Sequence, residues 1–116
     1  MTDMLDSVIQ QALESVKGID IVRLDVTDLT DVIDTMFVAS GNTPRQVKAL
    51  ANAVIEQCKE AGLPPLGVEG LDVAEWVLVD CGDAVVHVML PATREFYDLE
   101  KLWSVRPGDR PGLQAE

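Results

Sequence analysis

Apolar residues recur at Leu5, Val8, Ile9, Ala12, Leu13 and Val16 with the three- and four-residue spacing of one helix face. That period predicts an amphipathic helix over residues 3–17. Lys17 falls in its last turn and Gly18 ends it. Residues 19–26 are β-branched and partly alternating. Val22, Leu24 and Val26 point one way and Arg23 and Asp25 the other, which predicts a strand. After a polar connection over residues 27–31, residues 33–39 predict a second strand. Its apolar end is nearly continuous, which suits a central place in a sheet. Ser40-Gly41-Asn42 then breaks the chain, Thr43 can cap a helix, Pro44 takes its first position and Gln46 completes a capping box. Val47, Leu50, Ala51, Val54, Ile55 and Cys58 carry one apolar stripe along that helix until Gly62, and Pro64-Pro65 prevents its return.

The second half reads as strands. Residues 66–69 predict a short one, and residues 75–80 and 84–90 predict two more joined by Cys81-Gly82-Asp83, a hairpin signal. With residues 81–83 as the loop, Asp80 pairs Ala84 and Val77 pairs His87. That register groups His87 with Val79, Val85 and Met89, and puts Trp76, Leu78 and Asp80 on the opposite face. Pro91 stops the sheet, and one short helix over residues 93–103 follows. Residues 105–116, rich in Pro and Gly, are expected to form a mobile tail. The order is α-β-β-α-β-β-β-α. Each main helix has one apolar stripe and is expected to cover one sheet face. The prediction is a single α/β domain over residues 1–104, with a small mixed sheet flanked by two main helices.

Charge narrows the function. Nine Lys and Arg oppose 20 Asp and Glu, a net charge of −11 spread over both halves. A phosphate backbone is repelled by such a chain and a basic protein is attracted to it. Negative charge that only maintains solubility is the plainer account of the same balance. No apolar run reaches membrane-span length, and the acidic, amphipathic start is neither a signal nor a transit peptide, so a cytoplasmic location is expected. The two cysteines, Cys58 and Cys81, have no metal-ligand spacing.

Catalytic constellations are weak. Ser40-Gly41-Asn42-Thr43 before a helix start is an anion-binding context, but it lacks the glycines and lysine of a phosphate loop. Asp98 and Glu100 are two apart within a predicted helix and do not face each other as paired metal ligands must. His87 has no base–orienter pair on its strand. The aromatics cluster instead. Both tryptophans, the only tyrosine and Phe96 lie between residues 76 and 103. Phe96 reads as core. Trp76 near Asp80, and Tyr97 near Arg94, read as anchors and rim of a protein-capturing surface.

Those residues carry a family resemblance. Gly67-Val68-Glu69-Gly70, the run Trp76–Asp80, Gly82-Asp83, Val86-His87-Val88 and Arg94-x-x-Tyr97-x-Leu99-Glu100-x-Leu102-Trp103 resemble the ribosomal silencing factor (Iojap-like) family. Asp20-Ile21, Leu24-Asp25-Val26, Asp34 to Gly41, Thr43 and Arg45 extend the resemblance to about residues 3–104. It implies a nucleotidyltransferase-like fold without catalytic carboxylates, no enzymatic activity and no cofactor. It implies binding to the large ribosomal subunit through ribosomal protein L-fourteen, which blocks subunit association and represses translation under nutrient limitation. It also implies little nucleic-acid contact and a homodimer of the free chain. The implied binding residues are Trp76, Leu78, Asp80, His87, Arg94, Tyr97 and Leu99. Two alternatives stay open. One is a large-subunit biogenesis factor using the same surface. The other is a nucleotide-binding degenerate nucleotidyltransferase using the loop from Ser40 to Thr43.

Overall fold

The computed structural model describes residues 2–104, so the expected tail lies outside the described residues. Helix α1 (Thr2–Ser15) leads to strands β1 (Ile19–Asp25) and β2 (Thr35–Ser40), then to helix α2 (Pro44–Glu60). Strands β3 (Gly67–Glu69), β4 (Trp76–Asp80) and β5 (Ala84–Met89) follow, and helices α3 (Pro91–Tyr97) and α4 (Leu99–Ser104) close the described chain. The sheet order is β1-β2-β5-β4-β3, with β2 and β5 parallel and the other neighbours antiparallel. A small mixed sheet with helices is therefore present. The single helix expected over residues 93–103 is instead two short ones. They break at Asp98, whose left-handed φ of 48° an aspartate tolerates better than most residues.

Local chemistry accounts for the start and end of α2. The Thr43 hydroxyl accepts from the Gln46 N–H at 3.1 Å, and the Gln46 side chain accepts in turn from the Asn42 N–H at 2.9 Å. The reciprocal bond reaches one residue further back than a standard capping box, but it satisfies the same kind of orphan donor. At the other end Gly62, at φ 78°, reverses the chain and lets the Leu63 N–H reach the Cys58 carbonyl at 2.8 Å.

Helices α1 and α2 do not take one sheet face each, as their separate stripes suggested. Leu5, Ile9, Ala12 and Leu13 from α1 share one core with Val47, Leu50, Ala51, Val54 and Cys58 from α2. Both rest on the same side of the sheet, on Phe37, Ala39, Val77, Val79, Val86 and Val88. The helices also bury each other, which two separate layers would not allow. A polar tie reinforces α1: Asp6 accepts from Arg23 Nη2 at 2.6 Å and Nε at 2.9 Å, and from the Thr35 hydroxyl at 3.2 Å. On the opposite face, among the described residues, Val26, Met36, Val38 and Met89 are buried and packed by Leu24, Ile33, Trp76 and Leu99. The portion over β4 stays partly open.

The β4–β5 hairpin differs from the expected register by one residue. The Cys81 N–H bonds the Ala84 carbonyl at 2.9 Å, so the turn has only Gly82 and Asp83 at its centre. Gly82 has φ 91°, the positive value that two-residue hairpin turns need, and its N–H bonds Asp80 Oδ1 at 2.9 Å. Asp80 therefore pairs Val85 and Leu78 pairs His87. The slip moves His87 onto the face of Trp76, Leu78 and Asp80, because side chains alternate with a period of two.

Gly70 closes the turn leading to β4. Its φ is 90°, and a Cβ there would lie 2.2 Å from the Trp76 carbonyl oxygen. Gly70→Ala is expected to lower stability by about 2 kcal/mol or more, from backbone strain and a clash with a rigid backbone atom. Urea unfolding of the variant beside wild type measures it; an unchanged midpoint would contradict this account of the turn.

Candidate functional site

The open part of the sheet is built from alternate residues of β4 and β5. Trp76, Leu78 and Asp80 are half-buried there, with Val85 and His87 across from them. Trp76 Nε1 donates to His87 Nδ1 at 3.0 Å, and the two rings lie 5.9 Å apart. From α3, the Tyr97 ring packs on Trp76 at 4.6 Å, and Phe96 meets Tyr97 edge-on at 4.9 Å. Phe96 is 79% exposed and Tyr97 52%. Glu75, Ala92 and Thr93 complete the walls of a shallow notch of about 350 Å³ beside these rings. A contiguous aromatic surface of this kind is uncommon on an isolated domain, because large apolar rings in water lose the free energy that burial supplies.

Four of the seven residues read from the sequence come together on this face: Trp76, Leu78, Asp80 and His87, with Tyr97 over their edge. Two do not join it as contacts. Arg94 is buried, and its guanidinium is engaged inside the chain. Leu99 packs on the second core cluster and acts as cover for the sheet. Phe96, read as core from the pattern, is instead the most exposed ring among the described residues. Residues two apart on a helix face different sides, so once Arg94 turns inward Phe96 turns outward. The inward turn of Arg94 depends on bonds to β1 and β2, which no local pattern announces.

The loop at Ser40 to Thr43 is packed rather than open. The Asn42 and Gln46 N–H groups are engaged in the cap, the Gly41 N–H bonds the Met89 carbonyl at 3.1 Å, and a Cβ on Gly41 would lie 2.8 Å from the Val47 nitrogen. The Gly41, Asn42 and Gln46 donors are thus already engaged and not free for a phosphate. Among the described residues, no group of three or more His, Cys, Asp or Glu is placed to hold a metal ion. No helix among them is long and apolar enough to cross a membrane.

Burial lowers the His87 pKa to about 4, so the ring is neutral at pH 7 and its Nδ1 lone pair is free to accept from Trp76. Because the folded pKa lies below the unfolded value of about 6.5, His87 contributes stability above the unfolded value. That contribution is lost as pH falls from there toward the folded pKa, because the unfolded chain takes up the proton first. Between pH 7.5 and pH 4.5 wild type is expected to lose on the order of 2 kcal/mol more stability than His87→Gln, which cannot titrate. Urea unfolding of both chains at the two pH values measures the difference, and parallel losses would contradict a buried neutral imidazole.

Comparison with known proteins supplies the family of the chain. The sequence pattern of the family described as "Ribosomal silencing factor during starvation" matches residues 2–116. The chain is 54% identical over 103 residues to the ribosomal silencing factor RsfS of Chromobacterium violaceum, covering 89% of this chain and 82% of that protein. A crystal structure of a Chromobacterium violaceum protein superposes with a TM-score of 0.88 at 50% identity, covering 92% of this chain and 90% of that one. A longer mouse relative, "Mitochondrial assembly of ribosomal large subunit protein 1", is 36% identical over 110 residues, 92% of this chain and 46% of that protein. With the family pattern matched across nearly its whole length, the chain belongs to the ribosomal silencing factor family, whose members are non-catalytic, interact with the large ribosomal subunit and repress translation.

Proposed function

We propose that this chain docks on the large ribosomal subunit through the open face of its sheet, with ribosomal protein L-fourteen as the direct partner. Docked there, it stands in the way of the small subunit, and translation falls when nutrients are short. The observation that carries this reading is the aromatic group of Trp76, Tyr97 and Phe96 on a sheet face that the two main helices leave uncovered. Trp76 is the anchor, held in one orientation by His87 below and Tyr97 beside it. Leu78 and Asp80 extend the surface along β4, and the Asp80 carboxylate suits a partner Arg or Lys. The net charge of −11 favours a basic protein over rRNA as the surface it meets. The proposal takes the fold as nucleotidyltransferase-like without catalytic carboxylates, and it needs no cofactor. The protein acts in the cytoplasm.

A second reading has one observation in its favour. The mouse relative's name assigns it to assembly of the mitochondrial ribosomal large subunit. The same docking during large-subunit maturation would give this chain a biogenesis role. Sedimentation of purified subunits with and without the chain separates the two. Co-migration with the large subunit together with loss of joined ribosomes supports silencing. Co-migration with joining intact supports maturation, and absence of binding overturns both. The protein-only arm of the same experiment reads whether the free chain is a homodimer.

Trp76→Ala is expected to weaken large-subunit binding by at least about 2 kcal/mol, roughly thirtyfold, as truncation of a central aromatic anchor does. Titration of labelled chain against large subunits measures it. A folded Trp76→Ala variant that binds like wild type would remove Trp76 as the anchor.

A further inference from the structure

We infer that Arg94 is a positioning residue for the docking surface: it fastens α3 to the sheet and thereby sets where Tyr97 and Phe96 stand beside Trp76. The inference rests on the docking reading above and gives Arg94 a role other than direct contact. An arginine carries five N–H donors. Here Nε bonds Glu100 Oε1 at 2.7 Å, and Nη1 bonds the Ile19 carbonyl at 3.2 Å and the Ser40 hydroxyl at 3.0 Å. Nη2 bonds the Asp20 carbonyl at 2.6 Å and Glu100 Oε2 at 3.0 Å. These bonds match the donor complement, so the guanidinium has nothing left to offer a partner. They join four segments: the start of β1, the end of β2, α3 itself and α4.

The helix has little else to hold it. It is seven residues long, and a helix that short is not stable by itself in water. Its N-cap, Leu90, makes no side-chain capping bond. Arg94 is its one buried residue, while Glu95, Phe96 and Tyr97 are exposed. An amphipathic helix normally sits where its apolar stripe is buried. In α3 the buried position is a charged fork, and the large apolar residues face water.

The backbone around the fork is shaped to receive it. Asp20 adopts a left-handed φ of 49°, beside the irregular pairing between Ile19 and Val22, and its carbonyl accepts from Nη2. Asp98, also left-handed at φ 48°, turns the chain so that Glu100 on α4 meets the guanidinium from the other side. The bidentate bond to Arg94 holds the Glu100 carboxyl below its ordinary pKa, so the pair stays charged at neutral pH.

The test compares Arg94→Gln, Arg94→Lys, Glu100→Gln and Tyr97→Ala with wild type. Amide exchange of residues 91–97 and the ring-to-ring signals between Trp76 and Tyr97 report on α3. The slowest-exchanging amides of β2 and β5 report on the core. Arg94→Gln is expected to speed exchange in α3 and erase the Trp76–Tyr97 signals while core exchange is kept. Large-subunit binding should fall about tenfold or more, because a loosened surface must be ordered again on docking. Arg94→Lys, which keeps the charge without the fork, should not restore binding. Glu100→Gln should show the same local loosening in smaller measure. Added to Tyr97→Ala, Arg94→Gln should cost less binding than it does alone, because the residue it positions is already gone.

Unchanged α3 exchange and ring signals in a folded Arg94→Gln would overturn the inference. So would a collapse of core exchange in Arg94→Gln with Glu100→Gln indistinguishable from wild type, because Arg94 would then be a general stability element. If wild type fails to bind large subunits, the docking reading fails, and the exchange and ring signals still decide whether Arg94 positions α3.

Discussion

The pairing of Leu78 with His87 across the β4–β5 hairpin is the constraint on which the rest of the site depends. It follows from the turn. With only Gly82 and Asp83 at the centre, and Gly82 at φ 91°, the strands leave the turn with Asp80 opposite Val85. One more residue in the loop would bring Val77 opposite His87. The imidazole would then point among the valines under α2, and Trp76 would lose its acceptor. Burying a polar ring there without a partner is costly, and so is leaving the indole N–H unpaired. The core agrees with the observed register from the other side, because Val77, Val79, Val86 and Val88 are all fully buried beneath the helices. Turn chemistry and core burial thus select the same pairing, which is how a register becomes unique.

The second requirement is asymmetric cover. Helices α1 and α2 pack on each other as well as on the sheet, and this takes both to one side. Among the described residues, the other side is sealed where Val26, Ile33 and Leu99 pack with Met36, Val38 and Met89. What remains over β4 is a half-finished core: a tryptophan, a leucine and a neutral histidine with a tyrosine at the edge. Such a surface gains most by being completed by another protein. A second layer of helices would have stabilised the free domain and left no place for the proposed docking.

Much of the fold was legible in the chain, and its limits are instructive. The stripes of α1 and α2, the Thr43–Gln46 cap and the strands all follow from periodicity and capping, which are local. Which side of the sheet each helix takes is not local. It depends on a stripe wide enough to touch both a sheet and another helix, and a helix read alone does not reveal that. The hairpin was legible as a hairpin, yet its loop length differed by one residue, because Cys81 is equally suited to end a strand or begin a turn. That single residue decided the face of His87. In the candidate site, Trp76, Asp80 and Tyr97 were singled out by residue type and spacing and Leu78 by the family resemblance, and the structure brings the four together. Arg94 was singled out as well, but its burial was not legible, because its partners Ile19, Asp20 and Ser40 lie more than fifty positions earlier.

The two halves of the proposed docking surface are therefore held by different physics. Trp76, Leu78 and His87 stand on strands whose reverse sides form the main core, and they inherit its rigidity. Phe96 and Tyr97 stand on a helix that buries almost no apolar side chain, and they depend on directional polar bonds at the far ends of β1 and β2. Apolar packing is tolerant of small shifts, whereas a fork of short hydrogen bonds is not. A helix fixed in this way has a defined position but a small store of stabilising contacts. Local opening of α3 is accordingly easier than opening of the sheet, since regions poor in buried apolar contact occupy the low end of a protein's stability range. A surface with one rigid half and one latched half can hold its anchor ready while the aromatic edge settles on the partner. On the proposed docking, the latch, not the core, governs how complete the aromatic surface is when the partner arrives.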